Sequence, residues 1–101
     1  MEREASERTR VYKKNEHIVD REIAGEMLLV PVRGKLADME RIYSLNSVAA
    51  FVWQHLDGAK DLEAICQEIL ASYEVEGDQA RKDLHELIDD LREADLIVGV
   101  L

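Results

Sequence analysis

From His17 to Val32 apolar residues first alternate with charges and then run together: HIVDREI, then Ala24-Gly25-Glu26, then MLLVPV. Two short apolar runs around a glycine predict a β-hairpin. Pro31 has no N–H to give to a ladder, which places it at a strand end or on an edge. The polar stretch RGKLAD, with its glycine, reads as a loop. MERIYSL then supplies a third short strand, with Arg41, Tyr43 and Leu45 on one face and Glu40, Ile42 and Ser44 on the other. After Leu45 the period becomes helical. Asn46 is a good N-cap for SVAAFVWQHL, whose stripe is Val48, Phe51, Val52 and Leu56. Asp57-Gly58 ends that helix, the glycine taking the left-handed position. Asp61 caps a second helix with Leu62, Ile65, Ile69 and Leu70 on one side, and Gly77-Asp78 opens a third carrying Ala80, Leu84, Leu87, Ile88 and Leu91. Ala94-Asp95 breaks the third helix, and LIVGVL closes the chain as a short extended segment.

Residues 1–14 mix both charge signs without a period and read as a mobile N-terminal tail, leaving 15–101 as one domain. The expected fold class is α+β and winged-helix-like: a three-stranded antiparallel sheet followed by three helices. The link between the second and third helices, residues 73–78, has the length of a helix-turn-helix connection.

Composition narrows the function classes. The 101 residues are 47% hydrophobic, enough for one core. The longest apolar run is six residues, Val48 to Trp53, far below the roughly 20 that span a bilayer. MEREASERTR has no apolar segment of the secretory kind, so a cytoplasmic location without a membrane partner is expected. Cys66 is the single cysteine, which excludes an intrachain disulfide and a multi-cysteine zinc site. The three histidines, His17, His55 and His85, fall on different elements and show no metal-ligand spacing. No phosphate-cradling glycine loop is present either. The reading is a protein that is not an enzyme and needs no cofactor or metal.

Net charge is −9, and its distribution matters more than its size. Residues 61–101 carry twelve acids against three bases, while the rest of the chain is balanced. A winged helix that binds DNA is the alternative suggested by the parts list. Its recognition helix would be the third, yet Asp78, Asp83, Glu86, Asp89, Asp90 and Glu93 there face only Arg81, Lys82 and Arg92. That balance repels phosphates, so no nucleic-acid partner is expected. An acyl carrier is a further acidic helical class. Ser44 lies near a helix start, but Tyr43 occupies the place of that family's aspartate, and strands fill too much of the first half.

EMLLVP, YSLNSVAAFVWQHLDG, DLEAI and DLHELIDDLREADLI, in this order and spacing, resemble the PqqD-like family, over about residues 17 to 98. Its members are small domains that recognise precursor peptides in pathways for ribosomally made, modified products, among them pyrroloquinoline quinone, lasso peptides, lanthipeptides and radical-SAM-modified peptides. The resemblance implies a non-catalytic adaptor. The leader of the precursor docks as an added strand on the third strand, in the groove beside the third helix. The complex is then presented to a modifying enzyme, a radical-SAM protein being the expected class. Carried onto this chain, the docking strand is Met39, Glu40, Arg41, Ile42, Tyr43 and Ser44, and the helix wall comes from Arg81, Leu84, His85 and Ile88. The expected state is a monomer or weak homodimer. The residues themselves support the idea, since a three-stranded sheet leaves an edge open to strand addition.

Overall fold

The Ala24-Gly25 turn sets the first sheet. Both residues have positive φ, 54° and 84°, the geometry of the two-residue turn whose twist matches flanking strands. It joins the second and third strands of the chain, β2 (Ile18–Ile23) and β3 (Glu26–Pro31), paired from Ile23↔Glu26 to Ile18↔Pro31. Pro31 ends β3, and the next residue, Val32, donates to the His17 carbonyl at 2.8 Å, so the ladder continues past the proline. A third strand, β4 (Tyr43–Leu45), pairs antiparallel with β3 and completes a sheet of order β2-β3-β4. The computed structural model describes residues 9–32 and 42–100.

A second three-stranded sheet stands beside the expected one. Its central strand is β1 (Val11–Lys14), within the segment read as tail. β1 pairs antiparallel with β5 (Asp57–Asp61) on one side and β6 (Ile97–Val100) on the other. The ordered domain therefore begins before residue 15. The physical reason is Tyr12, only 2% exposed, which anchors a four-residue strand in the core. The expected helix stop at Gly58 is also displaced. The helix before it ends at Gln54 with His55 as its C-cap, and Gly58 lies inside β5 with φ +81°, where the register against β1 slips between Asp57 and Asp61. The Asp57 carboxylate accepts from the Ala59 and Lys60 N–H groups across this irregularity. Those two backbone donors hold its pKa below the usual carboxylate value.

Three helices pack against the sheets: α1 (Ser47–Gln54), α2 (Leu62–Ser72) and α3 (Gly77–Glu93). The expected caps are in place. The side chains of Asn46 and Asp61 accept from the N–H groups of Ala49 and Ala64, each at 2.8 Å. α3 closes with Leu96 N–H on the Leu91 carbonyl and Asp95 N–H on that of Arg92, the paired bonds of a Schellman end, with Asp95 at φ 62°. One core joins all layers: Val52 and Trp53 from α1, Ile65 and Ile69 from α2, Leu84 and Ile88 from α3, Leu29 and Leu45 from one sheet, Tyr12 and Ile97 from the other. Trp53 is wholly buried, and its indole N–H donates to Asp20 Oδ2 at 2.7 Å. Cys66 is buried in the same core, and burial pushes its thiol pKa up. Ellman's reagent at pH 8 should therefore leave native protein unlabelled and react with one thiol after denaturation. Rapid labelling of the native state would place Cys66 at the surface instead.

Candidate functional site

β4 is an edge, and the hydrogen-bond phase of its sheet shows which groups it leaves open. In an antiparallel ladder, bonded and non-bonded pairs alternate. The Val32–His17 bond makes that pair a bonded one, so Val30, Leu28 and Glu26 also face β2. Met27 and Leu29 must then face β4, where they pair with Leu45 and Tyr43. Ser44, between those two, turns its N–H and C=O away from β3. Among the described residues no strand pairs with that side. The Ser44 hydroxyl donates to Glu26 Oε1 at 3.3 Å on the exposed face. Leu45 and Tyr43 lie on the core side, and Ile42, just before the strand, is 61% exposed.

Beyond the end of β4 lies a groove of about 390 Å³. Asn46, the cap of α1, lines it with Val48, Ala49 and Val52 of that helix, while Ala80, Leu84 and Leu87 line it from α3. Tyr73 and Val75, in the connection after α2, close one end, and Asp83, Glu86 and Asp90 form the α3 rim. A smaller trough of about 230 Å³ adjoins it, sharing Asn46 and Tyr73 and reaching Met27 and Gly25 of the hairpin. Phe51 holds Tyr73 there in an edge-on contact at 5.5 Å between ring centroids. Such a surface offers open main-chain groups and apolar side chains rather than a reactive centre. Among the described residues no group of three or more His, Cys, Asp or Glu side chains could hold a metal ion, and no helix is long and apolar enough to cross a membrane.

The family of Coenzyme PQQ synthesis protein D (PqqD) matches residues 26–97, more than half of the chain. The chain belongs to the PqqD family. Among curated proteins no relative matches it. Two solved structures share its fold at a TM-score of 0.73 each. One is described as TbiB1 in complex with the TbiA(beta) leader peptide; it is 24% identical, over 88% of this chain and 98% of that one. The other is a lasso peptide synthetase B1 complexed with the leader peptide, 23% identical over 86% of this chain and 96% of that one. Both likenesses establish the fold: three helices and three-stranded antiparallel sheets in an α+β domain.

Within this PqqD fold the residues singled out from sequence separate. Ile42, Tyr43 and Ser44 stand at the sheet edge; Met39, Glu40 and Arg41 lie outside the described residues. Leu84 lines the groove. Ile88, at 1% exposure, is core and offers no surface to a peptide. Arg81 is turned to α2, where it meets Glu63 at 3.6 Å, and to Asp78 at 3.8 Å. His85, one turn further on, lies on the same flank by helical spacing and does not line the groove. The opposite flank, Asp83, Leu87 and Asp90, is the one that does. Its 4-3 spacing was visible in the sequence, but the choice of flank depends on where β4 and α1 sit.

Proposed function

We propose that this PqqD-family chain is a non-catalytic adaptor. It binds the leader of a ribosomally made precursor peptide by strand addition at β4 and presents it to a modifying enzyme. The observation that carries this reading is the outward N–H and C=O of Ser44 on an edge that no strand pairs among the described residues, next to an apolar groove that begins at Asn46. One donor and one acceptor on every alternate residue give an extended peptide its main-chain register, and the groove gives its side chains somewhere to go. That the two structures sharing the fold hold leader peptides supports the same occupant. Met39 to Arg41 extend the proposed docking strand, with Ile42, Tyr43 and Ser44 as its described part. A radical-SAM protein is the proposed modifying enzyme, as in the pyrroloquinoline quinone pathway from which the family takes its name. The adaptor is proposed to act in the cytoplasm, as a monomer or weak homodimer.

Nothing favours DNA as the partner. The exposed surface of α3 is acidic, and two of its three bases, Arg81 and Arg92, already face carboxylates at 3.5–3.8 Å. Isothermal titration with the synthetic precursor encoded beside the gene tests the proposal, with random duplex DNA at low salt as the comparison. Saturable binding of the precursor, lost when its leader is removed, is the expected result. Retention of duplex DNA in the absence of any leader binding would overturn it.

A further inference from the structure

The groove is charged on one side only. Its floor is apolar, from Val48, Leu84 and Leu87, whereas Asp83, Glu86 and Asp90 stand exposed along the α3 wall. The helix's own arginines do not compensate them. Arg81 is engaged with Glu63 and Asp78, and Arg92 with Asp89 and, at 5.9 Å, the ring of Tyr12. Resting on the reading of β4 as the docking edge, we infer that the peptide segment filling this groove is cationic, with lysine or arginine at alternate positions along it.

The spacing follows from the strand. A peptide residue opposite Ser44 shares its outer face, so that residue's two neighbours lie on the face of Tyr43 and Leu45, toward the helices. Positions two apart therefore face the helix side, about 7 Å from one another, and those carried past Leu45 toward Asn46 meet the groove. Asp83 and Asp90 are seven residues apart on α3, about 10 Å of helix rise, so two successive groove-facing residues can each reach a carboxylate. Lysine and arginine suit both parts of the surface. Their methylene stems cover the apolar floor while the charged heads reach the rim. An acidic side chain at the same positions would meet three carboxylates that neither arginine neutralises, Asp83 holding only the neutral amide of Gln79 at 2.9 Å, so the wall also rejects the wrong peptide.

A display library of short random peptides, selected on the protein and on a combined Asp83→Lys, Glu86→Lys, Asp90→Lys variant, tests this. The reversal adds six charges to a net −9, leaving the variant at −3, so a change in preference reports the wall rather than overall charge. The parent should enrich lysine and arginine over acids, with period-two placement. Those peptides should bind the reversed variant about tenfold more weakly, and the variant should enrich acids. Should the reversed variant melt early, Asp83→Asn, Glu86→Gln, Asp90→Asn gives the same comparison with a smaller effect. A parent pool with no cationic bias, or one that binds parent and variants equally, overturns the inference. Ser44→Pro tells the two levels apart. Selected peptides that lack the bias yet lose binding on Ser44→Pro remove this inference alone. Binding indifferent to Ser44→Pro, or a library without binders, removes the docking edge as well.

Discussion

Trp53→Ala should cost about 3–5 kcal/mol of stability, the range for deleting a large buried aromatic side chain. Trp53 is fully buried where α1 meets the β2-β3-β4 sheet, and no smaller side chain fills that space. The loss has a second part. The indole N–H donates to Asp20 on β2, tying helix to sheet, and a hydrogen bond to a charged acceptor contributes about 1.5–3 kcal/mol. A domain of this length has only about 5–15 kcal/mol in hand. At roughly 4–8 °C per kcal/mol, the melting temperature should fall by well over 10 °C. Asp20→Ala separates the parts. It keeps the packing but strands a buried N–H, and it should cost about 1–3 kcal/mol. Thermal melts followed by circular dichroism check both, and a Trp53→Ala protein melting with the parent would mean that α1 does not bury this face.

Ser44→Pro should keep the fold and lose the leader. Proline removes one N–H and fixes φ near −65°. At Ser44 the missing N–H points away from β3, so the ladder through Tyr43 and Leu45 is untouched. Only a weak surface bond, from the Ser44 hydroxyl to Glu26, goes with it, and Ser44→Ala controls for that. Tyr43→Pro is the opposite case, since its N–H belongs to the bonded pair with Leu29. It should destabilise the sheet itself. One neutral hydrogen bond is worth about 0.5–1.5 kcal/mol net, and the altered edge geometry adds to it. Affinity for the precursor peptide should fall at least about tenfold, or 1.4 kcal/mol, in Ser44→Pro. Calorimetry on the well-folded variant decides the matter. Parental affinity there would exclude strand addition at this edge, leaving the peptide to bind as a helix in the groove.

Local rules carried the elements whose signals are local. The β2-β3 hairpin, the caps at Asn46 and Asp61 and the end of α3 at Ala94-Asp95 all follow from a few adjacent residues. β1 does not. VYKK has one core side chain, and its partners lie at residues 57–61 and 97–100, so nothing nearby announces a strand. Gly58 was read correctly as a residue needing positive φ, but a helix end and a slipped strand register make the same demand. The edge proposed for docking was legible because alternation set Ile42 and Ser44 apart from Tyr43 and Leu45. The helix wall was not. Arg81 and His85 look more chemical than Leu87, yet the long-range placement of α3 turns Arg81 to Glu63 and leaves Leu87 and Asp83 over the groove.

The pairing of β1 with β6 joins Val11 to Val100, so the first and last of the described strands run side by side. Topologically the domain is a ring held shut by one antiparallel ladder. A segment attached ahead of β1 and another attached after β6 would emerge side by side, at the same end of neighbouring antiparallel strands in one small sheet. None of the residues lining the groove comes from that sheet. A tether to a larger enzyme at either end would thus leave the β4 edge uncovered, and new termini cut into a surface loop, with the old ones linked, should preserve the same face.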